Sequence, residues 1–181
     1  MLQRADHAVT VREGYRAIRL PYAIRSLAMV IALPNEIDGV DDVSRRIDQN
    51  ELTQLLGALR KDVPRPVVLS LPRFKTEYRA NLKPVFQKLG MSLPFDLKRA
   101  DFGGMVKEGA AIDQIVHRAV IEVSEEATEA AAATGVGFIV RSAKIKPVEL
   151  LQFRVDRPFL YYLVDETTGA VLFQGRIVDP R

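Results

Sequence analysis

The chain has no cysteine, which excludes disulfide cross-links and thiolate metal sites alike. That absence leaves export open, because 181 residues can build a core that needs no cross-links. Long hydrophobic runs are also missing. The longest, Leu27 to Leu33, is a strand-sized seven residues, far short of a membrane span. The opening M-L-Q-R-A-D-H has no apolar signal-peptide core. Charge of one sign is scarce, since 26 Lys and Arg against 23 Asp and Glu leave a net +3. Arg141, Lys144 and Lys146 form the nearest thing to a basic cluster, too small for a nucleic-acid surface. Neither nucleic acid nor membrane is expected as a partner.

Catalytic equipment is equally thin. The two histidines, His7 and His117, come with no nucleophile motif such as G-x-S-x-G. His7 stands in a polar setting and reads as a surface residue. The pair Gly103-Gly104 lacks the Lys-Ser or Lys-Thr and the helix of a phosphate loop. Asp41-Asp42 and Glu125-Glu126 read as helix-end and solvent-face charges, and no metal-ligand spacing appears. The residues therefore point away from an enzyme, and no metal or cofactor is expected.

What is present is globular. Hydrophobic residues make up 48% and charged residues 27%, with no internal repeat, linker or boundary, so residues 1–181 read as one domain. Val9 to Tyr22 alternates on both sides of Gly14, as a hairpin does. Leu27 to Leu33 suits a strand buried on both faces, ended by Pro34-Asn35. Gly39 to Ile47 and Gln49 to Arg60 read as helices. The second is capped by Asp48 or Asn50 and striped with Leu52, Leu55, Leu56 and Leu59. Val67 to Lys75 reads as one strand, and Asn81 to Leu89 as a short helix stopped by Gly90. Met91 to Gly104 is loop-like. Ile115 to Val123 reads as a strand containing His117, a residue type that in an apolar strand is usually hydrogen-bonded in a core. Phe159 to Asp165 and Ala170 to Val178 form a hairpin around E-T-T-G.

The stretch the rest serves is Val123 to Ser142, V-S-E-E-A-T-E-A-A-A-A-T-G-V-G-F-I-V-R-S. Eleven uncharged residues separate Glu129 from Arg141, four of them consecutive alanines. Glu125 to Ala133 has the composition of a helix. As a strand, one parity carries Thr128, Ala130, Ala132, Thr134, Val136 and Phe138, all small or apolar. Gly135 and Gly137 weaken either structure. Two acceptable conformations in one segment are what a conformational switch needs; an Ala-rich surface helix followed by a strand is the plainer alternative.

E-E-A-T-E-A-A-A-A-T resembles the hinge of an inhibitory serpin, the serine protease inhibitor family. V-H-R-A-V-I-E-V (Val116 to Val123) is similar to the family's central strand before the hinge, and F-G-G-M (Phe102 to Met105) to the loop before that strand. F-R-V-D-R-P-F-L-Y-Y-L (Phe153 to Leu163) resembles its C-terminal signature, and F-Q-G-R-I-V-D-P (Phe173 to Pro180) its closing strand. These motifs stand in family order. The resemblance covers nearly all of this chain but only about the C-terminal half of a serpin, which implies a fragment or truncated product.

The resemblance implies an α+β fold of mostly antiparallel sheets, about three short helices and an exposed reactive loop. It implies a hinge at Glu125, Glu126, Ala127, Thr128, Glu129, Ala130, Ala131, Ala132 and Ala133, with Ala127 where the family usually has glycine. It places the reactive bond at Arg141-Ser142, about sixteen residues beyond Glu125. Arg141 is also the first basic residue after the neutral run. Phe138, Ile139 and Val140 would contact the protease cleft, and His117 matches the family's shutter histidine. The implied partners are a trypsin-like serine protease and the missing N-terminal half, and a free strand edge is open to self-association. An extracellular location is implied, with the cytoplasm as the alternative. The reading from another class is a non-inhibitory interaction protein, or inactive fragment, whose loop is only a substrate.

Overall fold

A computed structural model describes residues 2–24, 26–107, 109–124 and 150–180. The elements run β1 (Leu2–Arg12), β2 (Tyr15–Pro21), β3 (Leu27–Pro34), α1 (Val40–Arg46), α2 (Gln49–Lys61), β4 (Arg65–Ser70) and β5 (Phe74–Asn81). They continue with α3 (Lys83–Lys88), a 3-10 turn at Leu93–Phe95, β6 (Val116–Val123), β7 (Leu151–Arg154), β8 (Phe159–Asp165) and β9 (Val171–Ile177). The described chain divides into two compact units, residues 75–122 forming the second.

The first unit holds a sheet in the order β7-β4-β1-β2-β3-β8-β9. All its pairings are antiparallel except β4 with β7. The β1–β2 hairpin turns at Gly14, whose φ of +82° is a conformation that residues with a Cβ rarely adopt. β3 lies between β2 and β8 and is buried over seven of its eight residues, as its unbroken apolar run demands.

On one face, α1 and α2 bury Tyr15, Ala17, Ala28, Val30, Ala32, Leu160 and Tyr162 beneath Val40, Val43, Leu55 and Leu59. The alanines keep this face low, so the helices can approach the strands. Leu52 and Leu56 flank the cluster, completing the expected stripe. Burying each leucine contributes about 1.5–3 kcal/mol. Asp48 caps α2 by accepting the Glu51 amide at 2.8 Å.

A polar clamp ties α2 to the hairpin. The Arg12 guanidinium donates to both oxygens of Glu51 at 3.0 and 2.9 Å, and the Tyr15 hydroxyl donates to the same carboxylate at 2.6 Å. These bonds hold the Glu51 carboxyl below its usual range, while burial and the adjacent carboxylate raise the Tyr15 phenol. Aromatic packing adds a second tie: the Phe74 ring meets Phe159 edge-on at 5.6 Å and Tyr161 at 5.5 Å. A Cβ at Gly175 would collide with the Tyr161 ring, so glycine is required there by close approach.

Three expectations need correction. Val67 to Lys75 is not one strand: Leu71-Pro72-Arg73 interrupts it, and β4 and β5 belong to different sheets. Pro72 lacks the N–H that a continuous ladder would need. β1 begins at Leu2 rather than near Val9, because its first half pairs with β4. His7 is not a surface residue but 7% exposed, since strand parity places it on the covered side with Val9.

The second unit contains α3, the 3-10 turn and most of the two-stranded β5–β6 sheet. Pro84 starts α3, and Gly90 follows it with φ +93°, the expected stop.

Candidate functional site

The expected site begins where β6 ends. Cross-strand pairs run in opposite chain directions, which makes β5 and β6 antiparallel. Lys75 Nζ meets Glu122 Oε2 at 2.9 Å, and Arg118 Nε meets Glu77 Oε1 at 2.7 Å. Asn81 fixes the start of β6: its Oδ1 accepts the Ile115 amide at 3.2 Å and the Lys83 amide at 3.1 Å. The Leu82 amide donates to the Ile115 carbonyl at 2.7 Å. The register of β6 is thus bound to the first turn of α3.

Both ion pairs occupy one face of the ribbon. Parity puts Phe74, Thr76, Tyr78 and Ala80 on the other face, opposite His117, Ala119, Ile121 and Val123. Most of this second face is half-buried and carries no Asp, Glu, Lys or Arg. His117 itself is exposed, with its ring 6.4 Å from that of Tyr78. A core hydrogen-bonded setting for this histidine is not what the structure gives. Among the described residues β6 has one hydrogen-bonded neighbour, β5, and its Val116 and Val120 stand 46% and 43% exposed.

The remaining site residues lie outside the described residues. They are the hinge Glu125, Glu126, Ala127, Thr128, Glu129, Ala130, Ala131, Ala132 and Ala133, the loop positions Phe138, Ile139 and Val140, and the bond Arg141-Ser142. The chain resumes into β7, whose parallel pairing with β4 sequence periodicity did not reveal.

Sequence reasoning also missed Asn81, Lys75, Glu77, Arg118 and Glu122, which set the β5–β6 register. The signal was available as charges at alternate positions, Lys75 and Glu77 against Arg118 and Glu122. Among the described residues no group of His, Asp or Glu is arranged to hold a metal ion. No described helix is long and apolar enough to cross a membrane.

Comparison with known proteins matches this architecture. A family model described as Serpin (serine protease inhibitor) fits residues 1–180. Serpin B6 of Macaca fascicularis is 37% identical over 161 residues, covering 89% of this chain and 42% of that protein. A protein named Serine protease inhibitor from Cyanea capillata is 31% identical over 163 residues, covering 90% and 42%. The crystal structure of uncleaved ovalbumin superposes with a TM-score of 0.74 at 28% identity, over 99% of this chain and 47% of that one. The chain therefore spans less than half the length of these relatives. The α+β arrangement of mostly antiparallel sheets with three short helices agrees with theirs. With nearly every residue inside the matched region, the chain belongs to the serpin family.

Proposed function

We propose that this chain supplies the bait loop and receiving strand of a serine-endopeptidase inhibitor directed at trypsin-like proteases. The protease serine attacks the Arg141 carbonyl, the Arg141-Ser142 peptide bond breaks, and the Ser142 amine leaves. Arg141 then remains as an acyl ester on the enzyme. The specificity follows from charge: an extended guanidinium pairs with the carboxylate at the bottom of a trypsin-like primary pocket. Phe138, Ile139 and Val140 add extended apolar contact. The hinge from Glu125 onward then inserts as a strand beside β6 and carries the acylated protease with it. Ala127 replaces the usual hinge glycine and is small enough to slow insertion only slightly.

The observation that carries this reading is the unpaired edge of β6 among the described residues, directly upstream of the hinge. A strand so placed offers a row of backbone donors and acceptors to the next extended segment. The small, uncharged parity from Thr128 to Phe138 suits insertion beside the small and apolar face that carries Ala119, Ile121 and Val123. His117, next to Tyr78 on that face, is proposed to act as a shutter that the inserting segment must pass. A second copy of the chain could claim the same edge, which sedentary monomers at micromolar concentration in sizing experiments would rule out.

A second reading has its own support. Insertion between two strands needs a neighbour on each side, and β6 has one among the described residues. On that reading the loop is cut without trapping and the chain acts as a substrate or interaction module. The position of the first cut tests the shared premise. Brief trypsin treatment followed by intact-mass analysis is expected to show cleavage after Arg141 before any other site, and Arg141→Ala to abolish it. A first cut after Arg118, Lys144 or Lys146 would overturn the assignment.

A further inference from the structure

The seven-stranded sheet is two ladders sharing one strand. Leu2 to His7 of β1 pair with β4, and Ala8 to Arg12 pair with β2, so the hydrogen bonding changes sides between His7 and Ala8. At this changeover His7 is buried, and both ring nitrogens are covered without a hydrogen bond of full geometry. A buried polar group without a partner is costly, and a buried unpaired charge far more so.

The surroundings do little for an imidazolium. Arg65 stands opposite on β4, and Arg19 comes from β2. Asp6 on its own strand is the counter-charge that acts on it. Asp62, beyond α2, is already bonded to the Val9 amide at 3.0 Å and paired with Arg65 at 3.6 Å. Arg65 also donates to the Val9 carbonyl at 2.5 Å, so the seam is closed by groups that flank His7 without bonding it.

We propose that His7 makes this seam acid-sensitive, so that mild acidification loosens the β1–β4 ladder before the rest of the sheet opens. Burial pushes the imidazole below 6.5, opposed by the Arg19 backbone and the Asp6 carboxylate and reinforced by the Arg19 charge. The unfolded chain therefore takes up the proton first as pH falls. Stability is full above about pH 6.5 and declines below it, until the folded chain also protonates. The slope approaches a tenfold loss in the folding constant per pH unit.

The test is urea unfolding of the chain from about pH 7 to 4.5, beside His7→Phe and His7→Gln, with amide exchange read on β4 and β3. The wild type is expected to lose up to about tenfold more in its folding constant per pH unit below 6.5 than either variant. Val67, Val68 and Leu69 amides should quicken before those of Val30 and Ile31. Identical pH slopes in wild type and variants, or simultaneous quickening of β3 and β4, would overturn the proposal. Should neither variant fold, the wild-type imidazole resonance decides, assigned by comparison with His117→Gln. A His7 midpoint below 6.5 supports the seam, and one at or above 6.5 refutes it.

Discussion

β3 and β6 are both eight-residue strands rich in valine, isoleucine and alanine, yet seven residues of β3 are buried and none of β6. β3 has β2 and β8 on its two edges and helices over one face. β6 has β5 alone among the described residues, and its register rests on exposed ion pairs and Asn81. Strand pattern chooses which side chains share a face; burial depends on what covers that face. The first region is a packed scaffold, whereas the second has a strand with one paired edge among the described residues.

Six substitutions would break or sharpen this contrast. Phe153→Ala, in the scaffold, is expected to cost about 3–5 kcal/mol in urea unfolding. Val120→Ala, on the open strand, should cost no more than about 0.5 kcal/mol. Similar losses at the two sites would erase the distinction. Gly175→Ala should lose about 1–3 kcal/mol by forcing a Cβ into the Tyr161 ring.

Glu51→Gln should lose about 1–2 kcal/mol at neutral pH by weakening the clamp to Arg12 and Tyr15. The folded carboxyl is depressed, so its contribution is full above the unfolded value and vanishes as pH falls through the folded one. Wild type and variant are therefore expected to converge as pH falls through the depressed folded value, which paired melts from neutral into the acid range would check. The ribbon's exposed ion pair is also expected to contribute little. Lys75→Glu alone should cost under about 1 kcal/mol, and adding Glu122→Lys should recover most of it, because both ends of that pair are well exposed.

The scaffold was largely legible in the sequence because its signals are local. The apolar run of β3, the leucine stripe and Asp48 cap of α2, and Gly14 each report their own surroundings. Two features were not legible because they depend on distant partners. The division of Val67 to Lys75 between sheets needs β1 and β6 to be placed, although Pro72 marked the break. His7 was hidden by its polar neighbours Arg4 and Asp6, which face outward while strand parity turns the histidine in. The candidate loop rests on the Ala-rich hinge and the neutral run to Arg141 in the sequence, and its residues lie outside those described.

The central claim is that Arg141 is bait and β6 the receiving strand. Incubating the chain with trypsin and separating the products under denaturing conditions tests it most directly. A denaturant-resistant band at the combined mass of protease and cleaved chain, absent for Arg141→Ala, is the predicted result. Clean cleavage after Arg141 with no such band would contradict trapping and leave the loop a substrate.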